Sequence, residues 1–132
     1  MALLEDELPT SGVVVEIGYG PVTDLPRLLS GLGTAQAVGI DIDQQALRDA
    51  PTPGLNRVCA DGSRLPFRSR SLSAILMRAV LHHIVDIDTC LADCTASLKA
   101  GGRLIIEDGV ALEPDDAARM NDELRGRCCF DG

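Results

Sequence analysis

The 132-residue sequence contains no tryptophan, one tyrosine and two phenylalanines. So few aromatic rings leave little for bases to stack on, and single-stranded nucleic acid is disfavoured as a partner. Cations are scarce as well. Twelve Lys and Arg face twenty Asp and Glu for a formal net charge of −8, so the chain has no general basic footprint for a phosphate backbone. No apolar run approaches the roughly 18 residues that cross a bilayer. The opening MALLEDELPT is acidic where a signal peptide would be basic. No membrane partner and a cytoplasmic location are therefore expected. The five cysteines form an odd set without a C-x-x-C pair, which fits free thiols in a reducing compartment. Cys90 and Cys94 are spaced to share one helix face, where burial is the ordinary role; Cys128 and Cys129 read as a tail feature, and no metal is assigned.

What is present is a core of small and branched aliphatic residues. At 45% hydrophobic content and this length, the chain fits a single domain over residues 1–132. Short aliphatic runs alternate with longer helical patterns, the signature of a βαβ plan and a parallel sheet. The pattern predicts strands at Val13–Ile17, Ala35–Ile40, Arg57–Ala60, Leu72–Met77 and Arg103–Asp108. Helices are predicted from about Asp24 to Ser30, from the Asp43 cap to about Ala50, from about Asp86 to Leu98, and from about Pro114 to Arg125. Pro26 is tolerated in a first turn, and Gly101 and Gly102 end the third helix.

Open α/β sheets bind ligands beyond the carboxyl ends of their strands, where the strand order reverses. The loop after the first strand, Glu16-Ile17-Gly18-Tyr19-Gly20, is thus the place to look for a ligand. A lone Gly-x-Gly serves equally well as a tight turn. Asp41 adds weight: it ends the second strand 23 positions after Gly18, where a carboxylate can accept from both hydroxyls of a ribose. Asp43 fits the alternative role of a helix cap. Asp61, before Gly62, offers a carboxylate to an adenine amino group, or is an ordinary Asp-Gly turn.

A dinucleotide and S-adenosylmethionine both carry adenosine. A pyrophosphate needs free backbone N–H groups and a third glycine, but Pro21 lacks the N–H, and Val22 and Thr23 follow it. Glu16 would repel phosphate and attract, directly or through water, the ammonium of a methionine moiety. The sulfonium cofactor suits the loop better than a nicotinamide dinucleotide does.

The ordered motifs Val13-Val-Val-Glu16-Ile-Gly18-Tyr-Gly20, Val38-Gly-Ile-Asp41-Ile-Asp43, Ala60-Asp61-Gly-Ser-Arg-Leu65-Pro66-Phe67, Leu81-His82-His83-Ile84 and Leu98-Lys-Ala-Gly101-Gly102-Arg-Leu resemble those of class I S-adenosylmethionine-dependent methyltransferases, especially the type called methyltransferase type 11. The resemblance runs from Val13 to about Asp108. It implies a Rossmann-like three-layer sandwich with a mostly parallel sheet of about five strands. It also implies that Glu16, Gly18 and Gly20 surround the methionine part, that Asp41 takes the ribose and that Ile42 packs on adenine. Asp61 and Gly62 would meet the adenine edge, while Met77 and Arg78 would line the methyl-transfer side through their backbone.

The sequence departs from the family at Pro21 and Val22 in the glycine loop and at Ser73, where the family commonly has Asp. After the fifth strand about 24 residues follow, enough for one helix, so the family's C-terminal antiparallel hairpin is expected to be missing. A protein partner or a second copy would then complete the site. His82 and His83 have no uniform catalytic role in the resemblance, and no catalytic residue is named. The expected activity is methyl transfer to a small or partner-presented acceptor, the alternative being a non-catalytic S-adenosylmethionine-binding subunit of a complex.

Overall fold

The computed structural model describes residues 2–18, 23–49, 53–62 and 64–108. Five strands, β1 (Val13–Ile17), β2 (Gln36–Asp41), β3 (Leu55–Cys59), β4 (Leu72–Arg78) and β5 (Leu98–Glu107), form one sheet in the order β3-β2-β1-β4-β5. All four strand pairs are parallel. The chain builds outward from β1 to β3 and then returns to place β4 on the other side of β1, so the order reverses between β1 and β4.

Parallel strands need both faces covered, and the alternation of side chains supplies two apolar surfaces. On one face Val14, Ala37, Ala74 and Leu76 pack with Leu25, Leu28 and Leu29 of α2 (Leu25–Ser30) and with Leu4 and Leu8. On the other face Val15, Ile17, Ile40, Ile75 and Met77 pack with Cys90 and Cys94 of α4 (Ile87–Ser97). A side chain such as Ile75, with no accessible surface, contributes about 1.5–3 kcal/mol by its burial. Burial also raises the pKa of the Cys90 thiol and pushes that of Cys94 up to about 12. The shared helix face expected for these two cysteines is therefore a core-facing one.

Most elements fall where the sequence pattern places them, and β1 does so to the residue. The helix α3 (Gln44–Asp49) follows Asp43, whose Oδ1 accepts from the Gln45 amide at 2.9 Å. At α4 the Asp86 carboxylate accepts from the Thr89 amide and hydroxyl at 3.0 and 2.6 Å. Asp86 thus fills the cap role that its position before the helix suggests.

Three elements depart from expectation. An additional helix, α1 (Ala2–Glu7), forms because Leu4 and the following Leu8 come four residues apart and are both buried against the sheet. β3 begins two residues early, since Leu55 reaches the α2-side core although Asn56 and Arg57 beside it are exposed. β5 begins at Leu98, which pairs with Leu72. The register then shifts, and Arg103 pairs with Ala74, so Gly101 and Gly102 lie inside an irregular strand instead of in a separate turn. Gly101, at φ +78°, supplies the left-handed conformation that this shift needs. The predicted helix Pro114–Arg125 and Cys128 and Cys129 lie outside the described residues. Among the described residues no helix is long and apolar enough to cross a membrane.

Candidate functional site

The C-terminal ends of the strands carry polar and charged groups at positions where the interior would otherwise be apolar. Glu16, next to last in β1, is 3% exposed, and Asp41, the last residue of β2, is 1% exposed. A buried charge is costly unless it is paired or hydrogen-bonded. The Asp41 carboxylate accepts from the Asp43 amide at 3.0 Å, while its carbonyl accepts from the Ala60 amide at 3.1 Å.

Glu16 is satisfied by residues distant in sequence. Its Oε2 accepts from Arg78 Nε at 2.9 Å, and its Oε1 accepts from Arg78 Nη2 at 3.2 Å and from the Thr23 hydroxyl. The same Arg78 Nη2 donates to Thr23 Oγ1 at 3.0 Å and lies 2.7 Å from Asp24 Oδ1. Thr23 Oγ1 in turn accepts from the Leu25 amide at 3.1 Å, at the start of α2. One cluster therefore ties the ends of β1 and β4 to the first turn of α2. Burial of the guanidinium acts to lower its pKa, but hydrogen bonds and negative charge from Glu16 and Asp24 outweigh it, and the net shift is upward.

Gly18 follows β1 at φ +65°, and its amide donates to the Ile40 carbonyl at 2.7 Å. This left-handed conformation explains the glycine at the end of β1. Gly20, Pro21 and Val22 lie outside the described residues. Beyond β3, Asp61 is exposed and Gly62 is buried. A Cβ on Gly62 would sit 2.6 Å from Ile17 Cγ2, so the third loop lies against β1 only because glycine is there. Ile42 is 45% exposed just past Asp41 and offers an apolar surface at the rim. Met77 is wholly buried, packing its side chain on the α4 side, so only its backbone reaches the strand ends.

The expectation for Arg78 covered its backbone alone, yet the side chain occupies the centre of the cluster. Sequence reading also missed Thr23 and Asp24, which stand where a helix start accounts for them without any site. Ala79 was missed too. It adopts φ +53° immediately after β4, and its amide donates to the Glu107 carbonyl at 2.7 Å. A non-glycine residue in this region is strained, and such strain collects at functional sites. His82 and His83 lie on a short 3-10 turn, Leu81–His83. Among the described residues no group of three or more His, Cys, Asp or Glu is arranged to hold a metal.

A groove of about 1110 Å³ beside α2 is lined by Thr23, Asp24, Pro26, Ala37 and Asn56 among others, and touches the charged cluster only at Thr23 and Asp24. Arg27 also lines it and lies 3.6 Å from Asp24 Oδ2. Along the sheet order, Asp61 beyond β3, Asp41 on β2, Glu16 on β1 with Gly18 just after it, and Arg78 on β4 stand in a row. With strands about 4.8 Å apart, the row from Asp41 to Arg78 spans about 10 Å. An elongated ligand with several polar groups fits it, and the acids of the row disfavour an anionic centre.

The family described as methyltransferase domain matches residues 15–106. Among curated proteins, an O-methyltransferase of Penicillium expansum is 29% identical over 109 residues, covering 76% of this chain and 39% of its own length. Among solved structures, the YcgJ protein of Bacillus subtilis superposes with a TM-score of 0.76 at 21% identity, covering 96% of this chain and 57% of that one. A phosphoethanolamine N-methyltransferase 2 of Haemonchus contortus, in complex with S-adenosyl-L-methionine, gives 0.74 at 20% identity, covering 93% and 31%. At these identities the structures report the fold. The chain spans less than half the length of the curated relatives it matches.

Proposed function

The chain belongs to the methyltransferase-domain family, and on that premise we propose that it binds S-adenosylmethionine along the strand ends and transfers the methyl group to a small or partner-presented nucleophile. The observation that carries this reading is the row Asp61, Asp41, Glu16 with Gly18, and Arg78, read across β3-β2-β1-β4. It follows the order of groups in the cofactor, from adenine through ribose to the amino acid.

In this reading Asp41 accepts hydrogen bonds from the two ribose hydroxyls. Such bonds to a charged group contribute about 1.5–3 kcal/mol. Asp61 meets the adenine amino group, the backbone at Gly62 lies along the adenine edge, and the half-exposed Ile42 covers the ring. Glu16, Gly18 and Gly20 surround the methionine part, and the backbone of Met77 and Arg78 borders the methyl. The carboxylates of the row oppose a pyrophosphate, which argues against a dinucleotide. The bound cofactor supplies an activated methyl on a sulfonium, so the protein's task is alignment of an acceptor whose proton leaves to solvent or to a base.

The test is ultraviolet crosslinking of labelled S-adenosylmethionine followed by peptide mapping and, on the same preparation, incubation with candidate acceptors. Label is expected on the peptides that carry Asp41-Ile42 and Asp61-Gly62. Label confined to the α2 groove, or none at all, contradicts the site. Crosslinking at the expected peptides without transfer to any acceptor, alone or with proteins from source cells, favours a binding subunit over an enzyme.

A further inference from the structure

A second polar corner lies at the opposite ends of the strands, away from the residues assigned to the cofactor. A cavity of about 360 Å³ there is lined by Asp6, Glu7, Ser11, Ser73, Lys99 and Arg103 among others. The irregular start of β5 builds it. Between the Leu72–Leu98 pair and the Ala74–Arg103 pair the register shifts, so Lys99 and Arg103 reach the cavity from either side of the two glycines, with Ser73 on β4 beside them. A Cβ placed on Gly12, just before β1, would overlap Ser73 Oγ and come 3.5 Å from Lys99 Nζ. The hydroxyl and the ammonium therefore face one small space.

Both groups are donors without an acceptor. Ser73 is 4% exposed, and among the described residues its hydroxyl has no hydrogen-bond partner, a costly state for a buried polar group. The Lys99 ammonium takes part in none of the ion pairs among the described residues. Arg103 is already engaged by Glu7. One positive charge is thus left to be answered, while the acids Asp6 and Glu7 on the same wall oppose a dianion. A monoanion with two acceptor oxygens suits the corner, one oxygen for the hydroxyl and one for the ammonium. Leu8 and Pro9 add an apolar stretch of wall. The volume lies at the lower end of the roughly 300–1,000 Å³ of small-molecule sites, which leaves room for a short hydrocarbon part besides the charged group.

We propose that this cavity, between α1 and the start of β5, is a binding site for a small organic carboxylate, with the Lys99 ammonium answering its charge and the Ser73 hydroxyl donating to it. Ser73 and Arg78 stand five residues apart on β4, or about 16 Å. The site is therefore separate from the strand ends assigned to the cofactor, and it stands whether or not those ends hold one. An aspartate in place of Ser73 would supply the carboxylate from the chain itself and leave Lys99 nothing to take from solution.

Titration of the isotopically labelled full chain with butyrate, followed by amide chemical shifts, tests it. The shifts of Ser11, Gly12, Ser73 and Lys99 should saturate together in the millimolar range. Butyramide, of the same shape but uncharged, should bind roughly tenfold more weakly or worse. Lys99→Gln should weaken butyrate by about tenfold or more, and Ser73→Ala by roughly three- to tenfold. Lys99→Arg keeps the charge and should retain most of the affinity, whereas Ser73→Asp should abolish binding. Lys99 is exposed, so its substitution decides the matter even if a Ser73 variant does not fold. Absence of a saturable shift, equal affinity for butyramide, or unchanged affinity in Lys99→Gln or Ser73→Asp overturns the proposal. Tighter binding of inorganic phosphate than of butyrate overturns the carboxylate assignment. Shifts centred on Gly18, Asp41 and Arg78 would put the carboxylate at the other end of the sheet and overturn the proposal as well.

Discussion

At their C-terminal ends the strands hold Glu16 and Asp41 almost out of reach of solvent, whereas at their N-terminal ends the first residues of β3 and β4, Leu55 and Leu72, are apolar and buried. Among the described residues Ser73 and Ser97 are buried polar side chains near those ends; the Ser97 hydroxyl donates to the Asp93 carbonyl at 3.0 Å, and the Ser73 hydroxyl has no hydrogen-bond partner. At one end of the sheet Glu16 is held by a network reaching three elements, in which Asp24 Oδ1 makes an ion pair with Arg78 but no hydrogen bond, and Asp41 accepts from the Asp43 amide; the other end relies on aliphatic packing. Folding alone gives no reason to place two carboxylates where aliphatic residues would serve, since replacing a buried ion pair by apolar groups is often neutral or stabilising. The difference fits the proposal that cofactor chemistry sits at the C-terminal ends and leaves stability to the other.

Substitutions that separate the two ends should therefore separate stability from binding. Leu72→Ala, at the apolar end, has the largest expected effect: a loss of about 2–5 kcal/mol of stability in denaturant unfolding. Cofactor affinity per folded molecule should stay unchanged. Asp41→Ala reverses the pattern, with cofactor binding weakened by about 1.5–3 kcal/mol and a smaller change in stability. Asp43→Ala is its control and should have a much smaller effect on affinity, because Asp43 Oδ1 serves the Gln45 amide. Equal losses from the two substitutions would erase the distinction between ribose acceptor and helix cap.

Gly62→Ala sharpens the comparison where the third loop touches the core. The added methyl would press on Ile17 Cγ2, a stiff branch with almost no free surface around it. A stability loss of about 1–3 kcal/mol is expected, accompanied by weaker cofactor binding as the loop lifts from β1. The smallest effect belongs to Asp86. Its carboxyl is held below the usual range by the side-chain and backbone hydrogen bonds of Thr89. A depressed folded pKa contributes stability above the unfolded value near 3.9, and the contribution fades as pH falls through the folded one. Asp86→Ala should lower the melting temperature at neutral pH, and thermal scans of the two proteins should converge in acid below the folded pKa.

Much of this arrangement was legible in the chain because it is local. The aliphatic run Val13–Ile17, the glycine after it and the acid that ends β2 each announce themselves within a few residues, and the fold class follows from their alternation with helical patterns. The Arg78 cluster was not legible in the same way. Its partners are 62 and 55 positions away, and only the reversal of strand order between β1 and β4 brings them together. Thr23 and Asp24 were hidden for a different reason, since a polar pair before a helix already has an adequate local explanation. β5 extended beyond its expected start because Leu98 could pair with Leu72 before the glycines, a tertiary contact that the periodicity of α4 concealed.

The central claim is that the C-terminal strand ends hold an adenosyl sulfonium cofactor and reject a pyrophosphate. Titration calorimetry of the full chain with S-adenosylmethionine and with NAD in parallel tests it most directly. Saturable binding of S-adenosylmethionine, with no heat from NAD at the same concentrations, is the predicted result. Tight binding of NAD, or no binding of S-adenosylmethionine by the folded chain, would contradict the account.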